Sequence, residues 1–375
     1  MLPFEFTNKT ILIISPESWG QNFLSKHHYA QELSQKNTVF FLNSIPDATL
    51  KQNVETKKTS ENLTIISYKK SIKGLLKLPP LLIDLQFRAV IKDILNVINT
   101  PLDVLWDFDQ IRFQNCKPFN AKQNIFHPVD IMKQIPPRIK TRKSELSDLT
   151  LYLSDEIIKD ITSSKSKQFV NHGISEAFFH KENHEFSFIQ KDKINIGYIG
   201  NIQSKFLDWK VLKNIIRESP EVNFVIIGPY EASNLGGDNK NKDIHFLKSQ
   251  ENVTLTGSKP TKELIKILPN FDAFLICYDT DNYRKEVSNS HKLLEYCSTG
   301  KVIVSNHIST YKDQTSILEM VDNNIDLTEK FKSVISNLGY YNNKAKSDLR
   351  INFAKQNTYK NHLLEIENLI TNLHE

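Results

Sequence analysis

The stretch NSHKLLEYCSTGKVIVS, residues 289–305, places an amphipathic turn, a glycine and a short apolar run in succession. At 3.6 residues per turn, Leu293, Leu294, Tyr296 and Cys297 share one arc of a helix, while Lys292, Glu295 and Thr299 share the other. Gly300 supplies the left-handed residue that ends a helix, and VIVS (302–305) reads as a strand buried on both faces. Helix, stop and buried strand in that order form the repeating module of a parallel α/β sheet.

Working outward, the module recurs. INIGYIG (194–200), NFVIIG (223–228), NVTLTG (252–257) and AFLICY (273–278) are further strand-length apolar runs separated by helix-length segments. The first half repeats the theme with TILIIS (10–15), TVFFLN (38–43), LTIIS (63–67), DVLWDF (103–108), NIFH (124–127) and LTLYLS (149–154), with helices expected near Lys26 to Gln35 and Leu82 to Ile98. Between the halves, NHGISEAFFHKENHEFSFIQKDK (171–193) is polar and lacks either period. The sequence therefore predicts an α/β protein of two tandem Rossmann-like, doubly wound domains facing across a cleft. The expected boundaries are a domain over 1–175, a linker over 176–193, a second domain over 194–355 and a closing amphipathic helix over 356–375 that packs on the first domain. NLGGDNKNKD (234–243) reads as an exposed loop. Ligands of open α/β sheets bind beyond the carboxyl ends of the strands, which makes the cleft the expected site.

Composition narrows the class. A chain of 375 residues with 39% hydrophobic content can bury two cores. No apolar run approaches the roughly 18 residues of a membrane span, and the N-terminus lacks the pattern of a secretory signal. Cys116, Cys277 and Cys297 are scattered without zinc-ligand spacing and read as core thiols. A reducing cytoplasm is the expected location. Residues 51–143 hold 17 Lys/Arg against 8 Asp/Glu, an excess of nine positive charges. Part of it lies in YKKSIKGLLKLPPLLIDLQF (68–87), where Lys69, Lys70, Lys73 and Lys77 sit beside Leu75, Leu76, Leu78, Leu81 and Leu82. That pairing suits the cytoplasmic face of an anionic membrane, at about 1 kcal/mol per lysine; a solvated loop before an ordinary buried helix is the alternative. No nucleic-acid motif is present. Gly197-x-x-Gly200 lacks the third glycine of a dinucleotide fingerprint.

Lys292 and Glu295 on one polar face could be only a surface ion pair worth about 0.2–0.5 kcal/mol. The strand and long polar loop that precede them, AFLICYDTDNYRKEVSNS (273–290), favour a ligand instead. A helix start and a lysine suit a diphosphate, and a carboxylate can accept two ribose hydroxyls.

The order of six pieces resembles the donor-binding domain of GT-B glycosyltransferases, in particular the family-4-like group that builds bacterial surface polysaccharides. They are IGYIGNI, Asp208, FVIIGP (224–229), NVTLTG, FDAFLICY (271–278) and KLLEYCSTGK (292–301). The resemblance covers 194–305. It implies that Glu295 holds the ribose and that Lys292 with Ser288, Asn289 and Ser290 meets the diphosphate. Gly200 and Asn201 would let the backbone approach the phosphates, and Lys205 or Lys210 would add a cation. Gly228, Pro229, Tyr230 and Gly257 would border the base, with Tyr278 beside them. Two departures stand out: Val287 occupies the position where retaining relatives carry a first Glu, with Glu286 one residue off, and Ser290 replaces the usual Pro.

The first half would bind the acceptor. His127 and Asp130, after the NIFH strand, are the leading candidates for a base, with His27, His28, Asp107 and Asp109 behind them. No metal or other cofactor is expected, since Lys292 can neutralise the leaving diphosphate. The implied activity is transfer of a sugar from a nucleoside diphosphate sugar to a saccharide acceptor, lipid-linked in this group. A sugar-nucleotide epimerase of the same fold and a non-catalytic nucleotide-sugar binding module are the alternatives.

Overall fold

Alternation along the buried strands organises both halves of the chain. In β1 (Thr10–Ile14), Ile11 and Ile13 enter one core while Leu12 and Ile14 enter another. A continuous apolar run is thus what a strand covered on both faces requires. The computed structural model describes residues 3–20, 23–44, 46–180, 184–230 and 238–373. It comprises two compact units, Met1–Asn171 with Tyr359–Glu375, and His172–Thr358.

The first unit is built on eight strands: β1, β2 (Thr38–Leu42), β3 (Val54–Ser60), β4 (Leu63–Tyr68), β5 (Val104–Asp107), β6 (Gln123–Phe126), β7 (Leu149–Tyr152) and β8 (Lys167–Phe169), in the order β3-β4-β2-β1-β5-β6-β7-β8. All pairs are parallel except β3 with β4. The helix Pro80–Ile98 buries Ile83, Phe87, Val90, Ile91, Ile94 and Ile98. The final helix, Tyr359–Leu373, buries Tyr359, His362, Ile366 and Ile370 in this unit, and Tyr29 Oη lies 3.2 Å from His362 Nδ1.

In the second unit the strands are β9 (Asn195–Ile199), β10 (Asn223–Ile227), β11 (Val253–Gly257), β12 (Ala273–Ile276), β13 (Val302–Ser305) and β14 (Glu319–Met320), all parallel, in the order β11-β10-β9-β12-β13-β14. Phe224 and Ile226 of β10 enter one core, Val225 and Ile227 the other. The helix Lys292–Thr299 ends at Gly300 with φ 78°, then feeds β13.

Three differences from the sequence expectation have physical causes. Strands β3, β8 and β14 lie at sheet edges, where little or nothing is buried, so no apolar period marks them. The segment 176–193 is not a free polar linker. It opens with the 3₁₀ turn Glu176–Phe179 and packs Phe178, Phe179, Phe186, Phe188 and Ile189 on the second unit's core. Of the stretch expected as a loop over 234–243, residues 234–237 lie outside the described residues, and Asp238 begins the helix Asp238–Lys248.

Candidate functional site

In the second unit the chain runs from β9 to β10 on one side and returns to β12 on the other, so the strand order reverses at β9. Pairing of β9 with β10 continues to Ile199, but pairing of β9 with β12 stops at Gly197 and Phe274. The two strands part there, and a crevice opens at the carboxyl end of the switch point, where this class of sheet binds ligands.

Lys292 enters that crevice. Its ammonium sits 5.9 Å from the ring centroids of both Tyr198 and Tyr278, and a Cβ on Gly200 would lie 2.4 Å from its Nζ. Gly200 is thus a glycine because the lysine occupies the space of a side chain. Gly228 is more constrained: its φ is 155°, and a Cβ there would lie 1.9 Å from the Gly200 carbonyl oxygen. The loop ends are tied together by Gly200 N–H donating to Ile227 O (2.9 Å), Gly228 N–H to Gly257 O (3.0 Å) and Ile202 N–H to Pro229 O (3.3 Å). Tyr278 Oη and Ser290 Oγ are 2.9 Å apart. The fold therefore brings Gly200, Gly228, Pro229, Gly257, Tyr278, Ser290 and Lys292 around one crevice.

Glu295 lies one turn along the same helix, half-buried. Desolvation pushes its carboxyl up to about 7, with the Lys292 charge pulling the other way. Ser288 is buried and its carbonyl accepts from Thr310 N–H at 3.0 Å, Asn289 is half-buried, and Asn201 is exposed and turns its Oδ1 to Gln203 N–H at 2.9 Å. Two first-turn donors, Leu293 and Leu294 N–H, bond back to the Ser290 and His291 carbonyls, which leaves the positive charge here mainly to Lys292. Lys205 is exposed, with its ammonium over the rings of Phe206 (5.2 Å) and Tyr283 (5.4 Å). Tyr230 is half-buried beneath the Lys248 ammonium, 5.5 Å from its ring. Val287 is buried and Glu286 half-buried.

Asp208 is a helix cap: Oδ1 accepts from Val211 N–H (3.0 Å) and Oδ2 from Asn324 Nδ2 (2.8 Å). Asn324 also takes the Thr280 hydroxyl (2.6 Å) and Asn306 Nδ2 (2.8 Å), while Asn306 Oδ1 accepts from Tyr278 N–H (2.5 Å). This network sets the loop that carries Tyr278. Asp208 and Tyr278 stood out in the sequence, but Asn306, Asn324 and Tyr198 did not. Tyr198 looked like one more apolar strand residue, and the asparagines belong to distant loops.

The candidates in the first unit fare differently. Asp130 is exposed, with its carbonyl accepting from Gln110 Nε2 at 2.7 Å. His28 is half-buried and stacks on Tyr359 (centroids 4.9 Å apart); burial and His27 lower its pKa to about 4. His127 is 1% exposed, beside Trp106 and Phe108. Burial lowers its pKa to about 3, so it is neutral, and its Nδ1 accepts from Trp106 Nε1–H at 3.3 Å. The proton therefore sits on Nε2, which has no partner among the described residues. The expectation of His127 as a base is corrected on these grounds: its remaining nitrogen is buried and carries the proton. Asp107 and Asp109 are committed to a buried ion network. Lys143 Nζ meets Asp107 at 2.6 Å and Arg112 Nε meets Asp109 at 2.6 Å, with Arg112 also donating to the carbonyls of Ser15 and Asn43. His27 is likewise structural, buried and held between Leu24 N–H and the Ser18 carbonyl. Among the described residues no group of three or more His, Cys, Asp and Glu side chains is arranged as a metal site.

Neither the protein-family models nor the curated proteins contain a match to this sequence. Solved structures do match over nearly the whole chain. Sucrose-phosphate synthase from Thermosynechococcus elongatus aligns with TM-score 0.68 at 10% identity, covering 98% of this chain and 99% of its own. The fold is that of the GT-B glycosyltransferases. A glycosyltransferase from Rickettsia africae aligns with TM-score 0.68 at 11% identity, covering 98% of this chain and 99% of that one. Anabaena HepE, solved in complex with UDP and glucose, aligns with TM-score 0.65 at 12% identity, covering 97% and 100%. In an open α/β sheet such as the second unit's, the switch point is where ligands bind.

Proposed function

We propose that this chain is a glycosyltransferase that moves a sugar from a nucleoside diphosphate sugar to a saccharide acceptor. The observation that carries the proposal is the Lys292 ammonium seated over Gly200 in the switch-point crevice, with Glu295 one turn along the same helix. UDP and glucose in the similar HepE structure support the same assignment. Lys292, with Ser288, Asn289, Ser290, Asn201 and Lys205 around it, receives the diphosphate. Glu295 accepts the ribose hydroxyls, and Gly228, Pro229, Tyr230 and Gly257 border the base. The acceptor hydroxyl oxygen bonds to the sugar's anomeric carbon as the bond from that carbon to the diphosphate oxygen breaks. The electron pair leaves on the diphosphate, where Lys292 offsets the charge. Asp130 takes the hydroxyl proton, being the exposed carboxylate among the first unit's candidates.

The acceptor in this proposal is lipid-linked and the product a bacterial surface polysaccharide, made at the cytoplasmic face of the membrane. In support, the helix Pro80–Ile98 leaves Leu81 (68%), Leu82 (46%) and Leu85 (47%) exposed, beside exposed Lys69, Lys70, Lys73 and Lys77. Leu75, Leu76 and Leu78 are half-buried instead. Among the described residues no helix is long and apolar enough to cross a membrane.

A thermal-shift screen of UDP, GDP, dTDP and CMP sugars tests the donor site, since a ligand bound to the native state raises the melting temperature. Turnover of the best donor with and without a saccharide acceptor then separates transfer from epimerisation. No stabilising nucleotide, or unchanged binding in Lys292→Ala and Glu295→Ala, overturns the proposal.

A further inference from the structure

The end of β9 poses an unusual accounting problem. Neighbouring residues of a strand direct their amides to opposite sides, and Gly200 N–H faces β10, where it bonds to Ile227 O. Ile199 N–H therefore faces β12, but pairing with β12 has already stopped at Gly197 and Phe274. A buried strand amide without a partner is costly. The partner is Tyr296 of the Lys292–Thr299 helix: its hydroxyl oxygen accepts from Ile199 N–H at 2.9 Å and lies 3.5 Å from Ile199 O. The Tyr296 ring is fully buried and stacks on Phe274, centroids 4.2 Å apart and planes 8° apart. The side chain thus bridges the two strands where they separate, with its ring on the last β12 residue that pairs with β9 and its hydroxyl on the last residue of β9.

Tyr296 is four residues after Lys292, one turn along the helix and at the edge of the buried arc that borders the Lys292 face. Fixing its hydroxyl fixes the rotation of the helix, and with it the point at which the Lys292 side chain enters the crevice. We propose that Tyr296 is a positioning residue for nucleotide binding: its hydroxyl replaces a missing strand partner and so holds the Lys292 ammonium in register over Gly200. This rests on the nucleotide site proposed above.

A double-mutant cycle tests it, with UDP, and GDP in parallel, titrated by calorimetry into wild type, Tyr296→Phe, Lys292→Ala and the double variant. The expected result is about a tenfold loss of affinity in Tyr296→Phe and no further loss when the same change is made in Lys292→Ala. A purely structural tyrosine would lower the melting temperature but weaken binding by the same factor in both backgrounds, or not at all. Either result, alongside a clear loss in Lys292→Ala, overturns the inference alone. Lys292→Ala binding like wild type overturns the nucleotide site and the inference with it. Phe274→Leu, which removes the ring support but keeps the hydroxyl, is the second variant should Tyr296→Phe not fold; the same loss and the same coupling are expected.

Discussion

Replacing Gly200 by alanine separates the architecture of the crevice from its chemistry. The new methyl would stand 2.4 Å from Lys292 Nζ, against an ordinary contact of about 3.5–4.0 Å, so the ammonium must retreat by roughly 1 Å or more. Because the obstructing atom is the far end of a flexible side chain, the fold accommodates it. A charge-assisted bond of about 2.7–2.9 Å to a phosphate oxygen does not survive such a shift. Its loss is worth about 1.5–3 kcal/mol, or roughly 10- to 150-fold in affinity. Alanine at φ 157° adds strain of ~1–3 kcal/mol, which lowers the melting temperature by roughly 2–4 °C per kcal/mol. Gly228→Ala is the contrast, since its methyl would meet the Gly200 carbonyl at 1.9 Å and no rotamer can relieve that overlap. Calorimetric titration with the best-binding nucleoside diphosphate, paired with thermal melting, reads both. Gly200→Ala is expected to stay folded but bind weakly, with no additional loss when combined with Lys292→Ala, while Gly228→Ala loses the fold. A Gly200→Ala protein that binds as tightly as wild type refutes the placement of the lysine as the phosphate contact.

Four further outcomes follow from named groups. The Glu295 carboxyl, raised from 4.5 to about 7, would accept both ribose hydroxyls in the proposed site only when ionised, since protonation turns one oxygen into a donor, so nucleotide affinity should fall as pH drops below about 7 and level off above it. Because a raised carboxyl favours the protonated folded form, the same group stabilises the protein at low pH and loses that contribution as pH rises through about 7; Glu295→Gln should flatten both profiles, measured by titration and melting from pH 5 to 9. Asp130→Asn is expected to cut kcat by about 10²- to 10⁴-fold with little change in donor affinity, whereas an unchanged kcat would remove it as the base. Ile366→Ala, in the terminal helix buried in the first unit, should cost about 2–5 kcal/mol by chemical denaturation, and a cost near zero would show that the helix does not dock. Changing Leu81, Leu82 and Leu85 to serine, or Lys69, Lys70, Lys73 and Lys77 to glutamate, should each abolish co-sedimentation with anionic vesicles; retention in either would refute the membrane contact.

The sequence by itself determined the elements that are buried on both sides. Runs such as ILII (11–14) and FVII (224–227) must be apolar at every position because each face meets a core, and the helix containing Lys292 and Glu295 announces its two faces and its glycine stop. It was silent on β3, β8 and β14, whose edge positions bury too little to impose a pattern, and it mistook 176–193 for a linker because phenylalanines spaced among polar residues carry no period. The residue types of the switch-point crevice were legible at fixed spacing, but not the seating of Lys292 over Gly200 or the bond from Ile199 to Tyr296, which join residues about a hundred positions apart. Only the tertiary structure decided which candidate acids and bases are available. His127, Asp107 and Asp109 look the same in sequence as Asp130, and it is packing that turns one into a neutral donor, locks two into ion pairs and leaves the fourth exposed. Burial and hydrogen-bond partners are properties of neighbours brought from elsewhere in the chain, and a local pattern carries no record of them.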